Sequence, residues 1–350
     1  MWHYILKRIL LMIPTLFLIL LINFMIVQIA PGGPVEQAIQ QIQSGHGWFE
    51  HSSISTQYQG AQGLSPEIIK KIQVQYGFDH PAPERFWLML KGYLTLDFGT
   101  SFFKDKPVAQ LIYEKLPVTL SLGLWSTLFI YLIAIPLGIK KAKKFGSHFD
   151  QLTSFLLAMS YAIPSFIFAI LLIVLFVGGS YWQWFPLQGL VSENFSQLSF
   201  FAKIKDYFWH LFLPVLSIVL GSFAARTYLT QASFMDELRK PYVLTAKAKG
   251  LNDQQVIYSH VFRNAILVLV STFPEAMVGI LFTGNLFIEI IFNLDGIGTL
   301  GFEAITHRDY PVMFGILFIL TLLGMLLRLM GDILYQWIDP RINFESKGMN

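Results

Sequence analysis

Residues 9–29, ILLMIPTLFLILLINFMIVQI, form an apolar stretch without a charged side chain. Its length matches the roughly 20 residues that an α-helix needs to cross the hydrocarbon core of a bilayer. Lys7 and Arg8 precede the stretch, and Pro31-Gly-Gly-Pro34 follows it. Because the apolar run is longer than the roughly 7–15 residues of a signal-peptide core, it predicts a retained transmembrane helix.

Five further stretches have the same character. They cover about residues 116–139, 152–177, 208–229, 264–291 and 312–337. Across its 350 residues the chain is 54% hydrophobic and 13% charged, and its mean hydropathy is +0.54. Soluble domains average roughly 25% charged residues. The sequence therefore predicts an all-α, polytopic membrane protein with six transmembrane helices.

Positive charges are distributed unevenly between the predicted loops. They concentrate before the first span and after the second and fourth spans, at Lys7, Arg8, Lys140, Lys141, Lys143, Lys144, Arg239, Lys240, Lys247, Lys249 and Arg263. The positive-inside rule then places both termini in the cytoplasm. This topology divides the chain into an N-terminal helix (1–29), an extracytoplasmic segment (30–115) and a five-helix core (116–350) with a cytoplasmic loop at 230–263. Within the outer segment, 66–76 and 83–93 have the pattern of short amphipathic helices.

Several classes of chemistry lack their sequence signatures. The chain has no Cys, which excludes disulfides and thiolate metal sites. It contains no G-x-x-x-x-G-K-[ST] phosphate loop and no G-x-S-x-G or H-E-x-x-H motif. We therefore expect no catalytic residue, no metal and no cofactor in this chain, and we expect any ATP hydrolysis to occur on partner subunits.

Few charged residues fall inside the predicted spans. Arg226 is expected near the cytoplasmic end of the fourth helix, where its side chain can reach the headgroups. Arg328 and Asp332 are four residues apart and are expected to form a local pair. Glu275 follows Pro274 well inside the fifth predicted helix, so these two residues are candidates for the translocation path.

The loop between the fourth and fifth spans carries the sequence YVLTAKAKGL at residues 242–251. This pattern predicts a short helix that ends at Gly250, whose backbone admits a left-handed turn. Small residues on such a helix allow the surface of another protein to approach closely. The alternative is a basic juxtamembrane helix held by anionic lipid.

This stretch, followed by His260-x-x-Arg-Asn-Ala265, resembles the EAA loop of importer-type ABC transporter permeases, in particular that of the peptide permeases. In that family the loop is a coupling helix that docks in a cleft of the cytoplasmic ATPase. Here Leu244 stands at the position of the leading Glu of the family motif. The resemblance implies ATPase-coupling contacts by Tyr242, Thr245, Ala246, Lys247, Ala248, Lys249, Gly250 and Leu251.

Other motifs of the same family recur along the chain. They are Asp97-Phe-Gly-x-Ser101, Leu116-Pro-x-Thr-Leu120, Glu289-x-x-Phe292, Gly296-x-Gly298 and Arg308-Asp-Tyr-Pro311. Gly296 and Gly298 permit a tight turn, and Arg308 with Asp309 can lock the resulting hairpin by a charge-assisted hydrogen bond. We assign an outer hairpin or gate to Glu289, Gly296, Gly298, Arg308 and Asp309.

The resemblance implies a permease subunit of an ATP-driven peptide importer in the bacterial inner membrane, with the importer-type ABC permease fold. Its partners would be a second homologous permease, two cytoplasmic ABC ATPases, an extracytoplasmic solute-binding protein and membrane lipid, but no nucleic acid. Oligopeptides are the implied cargo; dipeptides, nickel chelates and sugars use similar permeases. The alternatives are a proton-coupled secondary peptide transporter, which would depend on Glu275, and a non-transporting membrane scaffold.

Overall fold

The computed structural model describes residues 2–29, 80–178, 181–279 and 286–338. Its α-helices, in chain order, are α1 (Trp2–Ile29), α2 (Ala82–Leu94), α3 (Val108–Lys143), α4 (His148–Ala162), α5 (Ser165–Phe176), α6 (Phe200–Leu238), α7 (Pro241–Ala248), α8 (Asp253–Val256), α9 (Phe262–Gly279), α10 (Leu286–Ile291), α11 (Ile297–Thr306) and α12 (Tyr310–Ile338). A π-helical turn joins α8 to α9. Within these ranges the fold is all-α, as predicted.

Five helical segments of the described chain are long and apolar enough to cross a membrane, and a sixth is added when the bent pair α4–α5 counts as one span. This agrees with the predicted six spans. The predicted boundaries are less accurate, because α3 and α6 extend beyond the apolar stretches 116–139 and 208–229 at both ends. The amphipathic helix predicted at 83–93 is present as α2, and the one at 66–76 lies outside the described residues.

The predicted third span is two helices that meet at an angle of 93°. Ile163 ends α4 with an extended backbone, φ −95° and ψ 119°. The residue before a proline is pushed out of the helical region by the proline ring, and Pro164 stands immediately before α5. By contrast, Pro136 and Pro214 lie inside continuous helices.

The structure describes the predicted fifth span, 264–291, in two parts. α9 ends at Gly279 and α10 begins at Leu286, and the intervening residues are outside the described part of the chain. Pro274 of α9 lies against Gly331 of α12, where an added Cβ would be 2.0 Å from the proline Cγ. Such close helix contacts through small residues are typical of membrane bundles.

The described residues divide into two compact units. The first contains residues up to Arg8, then Lys115–Leu300, then those from Leu322 onward. One apolar core of this unit joins α3, α5, α6 and α10, with Leu122, Leu172, Leu211 and Ile288 among the buried side chains. This unit holds the segment between the fourth and fifth spans.

The second unit contains residues Ile9–Glu114 and Gly301–Thr321. Aromatic rings dominate its interior: Phe24 of α1 and Phe86 of α2 lie 5.2 Å apart between ring centroids. Tyr93 contacts both Phe98 and Phe318, at 4.9 and 5.3 Å. These ring contacts join α1, α2 and the first half of α12 into one small core.

The local pair predicted between Arg328 and Asp332 is wrong. Asp332 instead forms an ion pair with Arg8, at 3.2 Å, and accepts a hydrogen bond from the Tyr4 hydroxyl at 2.9 Å. Both partners lie on the first turns of α1. A spacing of four residues on a helix makes a pair between Arg328 and Asp332 possible. The Asp332 carboxylate instead binds the side chains of α1.

Candidate functional site

The segment that resembles a coupling helix folds as the short helix α7. One of its faces is buried, through Val243 and Ala246. The opposite face is exposed and contains Leu244, whose side chain is 70% exposed, together with Thr245 and Ala248. An exposed leucine flanked by small side chains is a surface that another protein can cover.

A glycine ends this helix, as predicted. Gly250 has a φ of +85°, and its N–H donates to the Lys247 carbonyl at 2.9 Å while the Leu251 N–H donates to the Ala246 carbonyl at 3.4 Å. This pair of hydrogen bonds is the Schellman motif. A Cβ at residue 250 would meet nothing within 4 Å among the described residues, so the requirement for glycine is conformational rather than steric.

Side-chain contacts tie α7 to the helices before and after it. The Tyr242 hydroxyl donates to Glu237 at the end of α6, at 2.7 Å, and accepts from the Asn264 amide of α9 at 3.5 Å. Burial and the bond to Glu237 raise the pKa of Tyr242 to about 12, so the phenol stays protonated as a donor at cellular pH. Lys247 forms an ion pair with Asp253 of α8 at 2.9 Å.

The buried face of α7 belongs to a core that includes three long helices. Val243 and Ala246 share this cluster with residues of α3, α6, α9 and the π-helical turn before α9, namely Ile139, Ala142, Phe234, Ala265 and Val261. Cores with this packing transmit displacement because they have few voids. A force on α7 would therefore act directly on three spans.

Sequence reasoning missed a functional candidate next to this core. Lys141 was counted only among the basic loop charges, yet its side chain is fully buried. Its ammonium donates to Asp150 Oδ1 at 2.7 Å, to the Thr153 hydroxyl at 3.0 Å and to the Ser154 hydroxyl at 2.7 Å. Gln231 of α6 donates to the same Asp150 oxygen at 3.1 Å. This polar cluster therefore joins the end of α3 to α4 and α6.

We expect Lys141→Met to weaken the junction between these three helices. Among the side chains that donate to the buried Asp150 as described above, Lys141 is the one that carries a positive charge. Its removal should lower the free energy of unfolding by about 1–3 kcal/mol. The measurement is the thermal unfolding of the detergent-solubilised protein, which should shift to lower temperature. Lys143→Met changes an exposed lysine on the same turn and should unfold like wild type; equal shifts for the two variants would contradict this role.

The predicted outer residues Glu289, Gly296 and Gly298 lie together in the first unit. Glu289 is fully buried and accepts hydrogen bonds from the Thr119 hydroxyl at 3.0 Å and the Thr299 N–H at 2.8 Å. A Cβ on Gly296 would lie 2.3 Å from the Glu289 carboxylate, and one on Gly298 would lie 2.8 Å from it. Neither glycine adopts the left-handed region, so close approach to Glu289, not a tight turn, explains them.

Asp309 and Arg308 lie in the second unit. Asp309 is buried and accepts from the Ser101 hydroxyl and from the backbone N–H groups of Phe102 and Phe103. The sequence pointed to Arg308 as the partner of Asp309, and the structure gives that role to the Ser101–Phe103 turn. Arg308 itself has a positive φ of 50°.

The two predicted path residues have different environments. Pro274 is buried against Gly331. Glu275 is exposed and belongs to the last described turn of α9. No group of His, Asp or Glu within the described ranges could hold a metal ion.

Residues 134–344 match the family described as binding-protein-dependent transport system inner membrane component. The chain belongs to this family. The permease is 51% identical to the peptidoglycan transport system permease protein YejB of Agrobacterium fabrum and to the inner membrane ABC transporter permease protein YejB of Escherichia coli O157:H7, in each case over 99% of this chain and 100% of the relative. The oligopeptide transport system permease protein AppB of Bacillus subtilis is 32% identical over 97% of this chain and 99% of its own length.

The identity to the two YejB proteins exceeds that to AppB along nearly the whole chain, so the permease is most like the YejB-type subunit. A solved structure, the MetNI methionine ABC transporter in an inward-facing conformation, covers 65% of the permease and 96% of its own chain, with a TM-score of 0.50 and 15% identity. At that identity the likeness shows the fold alone. The chain is thus a permease subunit of an ABC importer and a multi-pass inner membrane protein, and the secondary-transporter and scaffold alternatives are not favoured.

Proposed function

We propose that this permease carries peptides inward as part of a complex with a second homologous permease, two cytoplasmic ABC ATPases and an extracytoplasmic solute-binding protein. The observation that carries the proposal is α7, a helix that exposes Leu244 and Ala248 on one face and is built into the core of three spans through the other. The names of the YejB and AppB relatives support peptide-containing cargo.

In this proposal both termini and the 230–263 loop face the cytoplasm, and residues 30–115 lie outside. The exposed face of α7 contacts the ATPase, while Lys247 and Tyr242 act from within the permease by bracing α7 against its neighbours. ATP-driven closure of the ATPase pair then moves the core around Ile139, Phe234 and Ala265 as one body. A ligand-driven change of state requires such a differential contact in each state.

The two buried carboxylates of the outer motifs have a structural role in this proposal. Glu289 fixes the α10–α11 hairpin by gathering donors from Thr119 and Thr299, and Asp309 fixes the Ser101 turn. Rigid segments of this kind support an outer gate and a docking surface for the binding protein. Neither carboxylate is assigned to contact with cargo, because both are enclosed by their hydrogen-bond donors.

The test is ATP-dependent uptake of a radiolabelled oligopeptide, and separately of a peptidoglycan stem peptide, into vesicles that contain the four kinds of subunit. We expect accumulation that requires ATP, the binding protein and both permeases. Uptake that persists without the ATPases and collapses with the proton gradient would overturn the proposal in favour of secondary transport. Accumulation of a sugar or a nickel chelate, with no peptide uptake, would overturn the cargo assignment.

A further inference from the structure

The short helix α2 lies partly within the hydrocarbon core of the membrane. Its buried Phe86 ring contacts two rings of α1, Phe17 at 5.7 Å and Phe24 at 5.2 Å between centroids. Phe17 stands twelve residues before Ile29, the last residue of the apolar run, which is about 18 Å along an α-helix. Because the hydrocarbon core is about 30 Å thick, a ring that reaches both phenylalanines lies inside it.

The other face of α2 exposes large apolar side chains in this subunit. Trp87 is 65% exposed, Leu88 51% and Leu94 84%, and Lys91 is exposed between them. An apolar face with a tryptophan and a lysine is typical of helices that lie at the membrane surface. Ile22 and other apolar side chains of α1 are exposed as well, so a surface suited to lipid continues from α1 onto α2.

Leu88 also lines a cavity of about 320 Å³ that lies within the second unit. The described walls come from α1, α2, the turn after α2 and the beginning of α12, and most of them are apolar or aromatic, as at Met89 and Phe314. Two charged side chains line the same cavity, Arg85 of α2 and Asp97 of the following turn. A cavity of about 300 Å³ or more that combines apolar walls with a few polar groups is the usual form of a ligand site.

The positive charge of this cavity lies where the apolar run of α1 ends. The Arg85 guanidinium donates to the Gln28 side chain at 2.6 Å and stands over the Phe24 ring, 6.0 Å from its centroid. Asp97 is exposed, and its Oδ1 accepts from the Gly99 N–H at 3.0 Å. The cavity therefore combines a cation and an anion at the level of the headgroups with apolar walls that extend toward the hydrocarbon.

We propose that this cavity binds a phospholipid with an amine headgroup, such as phosphatidylethanolamine, from the leaflet at the C-terminal end of α1. The Arg85 guanidinium binds the phosphate, because its planar donors match two phosphate oxygens. The Asp97 carboxylate accepts hydrogen bonds from the ammonium of the headgroup. One acyl chain lies against Leu88 and Met89, so the bound lipid contacts α1, α2 and α12 together.

The surroundings of the cavity favour a lipid over a peptide or another protein. Phe86 places α2 at the depth of the acyl chains, and Leu88 belongs both to the apolar surface and to the cavity wall. The cavity is therefore accessible from the bilayer. An amine phospholipid is zwitterionic, and its two charges complement those of Arg85 and Asp97.

The test uses the assembled transporter in an uncharged detergent, washed free of loosely held lipid, to which phosphatidylethanolamine with a photoreactive acyl chain is added. After illumination, adducts on the permease are mapped by mass spectrometry. We expect about tenfold more adducts at Leu88 and Met89 than at Ile22, which is exposed on α1 and does not line the cavity, because charge-assisted hydrogen bonds hold the headgroup. Unlabelled phosphatidylethanolamine should displace the probe at lower concentration than phosphatidylglycerol, which lacks the ammonium.

Substitutions separate the two headgroup contacts. Arg85→Gln should lower the cavity adducts about tenfold. Asp97→Asn should remove the preference for phosphatidylethanolamine over phosphatidylglycerol, while the asparagine oxygen can still accept from the Gly99 N–H. Lys91→Gln and Glu84→Gln change exposed charges of α2 that do not line the cavity, and both variants should be labelled like wild type.

The wild-type adduct map tests the site without any variant. Adducts that are no more frequent at Leu88 than at Ile22 would overturn it. Equal losses from Arg85→Gln and Lys91→Gln would also overturn it, since they would mean that lipid is attracted by the charge of α2 as a whole. Labelling of Leu88 by a photoreactive oligopeptide, with no lipid adducts there, would assign the cavity to cargo instead.

Discussion

Replacing Ala248 with tryptophan is expected to abolish ATP-driven uptake while the permease still inserts and folds. Ala248 is on the exposed face of α7, beside Leu244, and the buried face that anchors the helix uses Val243 and Ala246 instead. An indole would therefore occupy the space where the ATPase approaches without disturbing the core. A change of this size at the centre of an interface costs about 2 kcal/mol or more, which lowers the ATPase affinity roughly thirtyfold.

The measurements are uptake into vesicles and co-purification of the ATPases with the tagged permease. Ala109→Trp is the matched control, because Ala109 is an exposed alanine near the opposite end of α3 from the α7 core. The Ala109→Trp variant should show wild-type uptake and should still co-purify with the ATPases. Normal uptake and ATPase retention by Ala248→Trp would show that the exposed face of α7 is not the coupling surface.

The spans could be predicted from the sequence because an uncharged run of about 20 residues has few other stable environments. The sequence does not predict which of the prolines interrupt a helix. Pro164 separates two helices by 93°, whereas Pro274 remains inside α9, where Gly331 of another helix provides space for its ring. Whether a proline interrupts a membrane helix thus depends on neighbouring helices that satisfy or accommodate it, and a local pattern carries no such information.

The sequence predicted the separate motifs of the site but not the hydrogen bonds that join them. The short motifs around Thr119, Glu289 and Gly296 were recognised separately, but only the fold shows that they form one hydrogen-bonded cluster. The partners of Lys141 did leave a trace in the sequence. Asp150, Thr153 and Ser154 share one face of α4 by their spacing, and a buried acid followed by two hydroxyls on a helix next to a lysine run is a pattern that could have identified the buried lysine.

The hydrogen-bonded cluster of Thr119, Glu289 and Thr299, against which Gly296 packs, leads to the second large effect, which is expected from Gly296→Ala. The added methyl carbon would lie 2.3 Å from the Glu289 carboxylate, so either the α10–α11 hairpin or the carboxylate must move. Glu289 cannot move without losing the donors Thr119 and Thr299 that compensate its burial. Leaving a buried carboxyl without its hydrogen-bond donors costs about 1–3 kcal/mol, and forcing an extra carbon into a packed site costs about 1–3 kcal/mol more. We therefore expect a large loss of folded protein after detergent extraction.

A second substitution tests the cause of that loss. Gly301→Ala is the size-matched control, because within the described ranges its added carbon would meet only Ile316, at an ordinary 3.8 Å. Its yield and unfolding temperature should stay near those of wild type. Glu289→Ala removes the atoms that Gly296→Ala would strike, so in that background the glycine substitution should cost much less than in wild type. If the free-energy costs of the two substitutions instead add without interaction, the close approach of Gly296 to Glu289 does not explain why residue 296 must be glycine. The hairpin would then require the backbone freedom of this glycine.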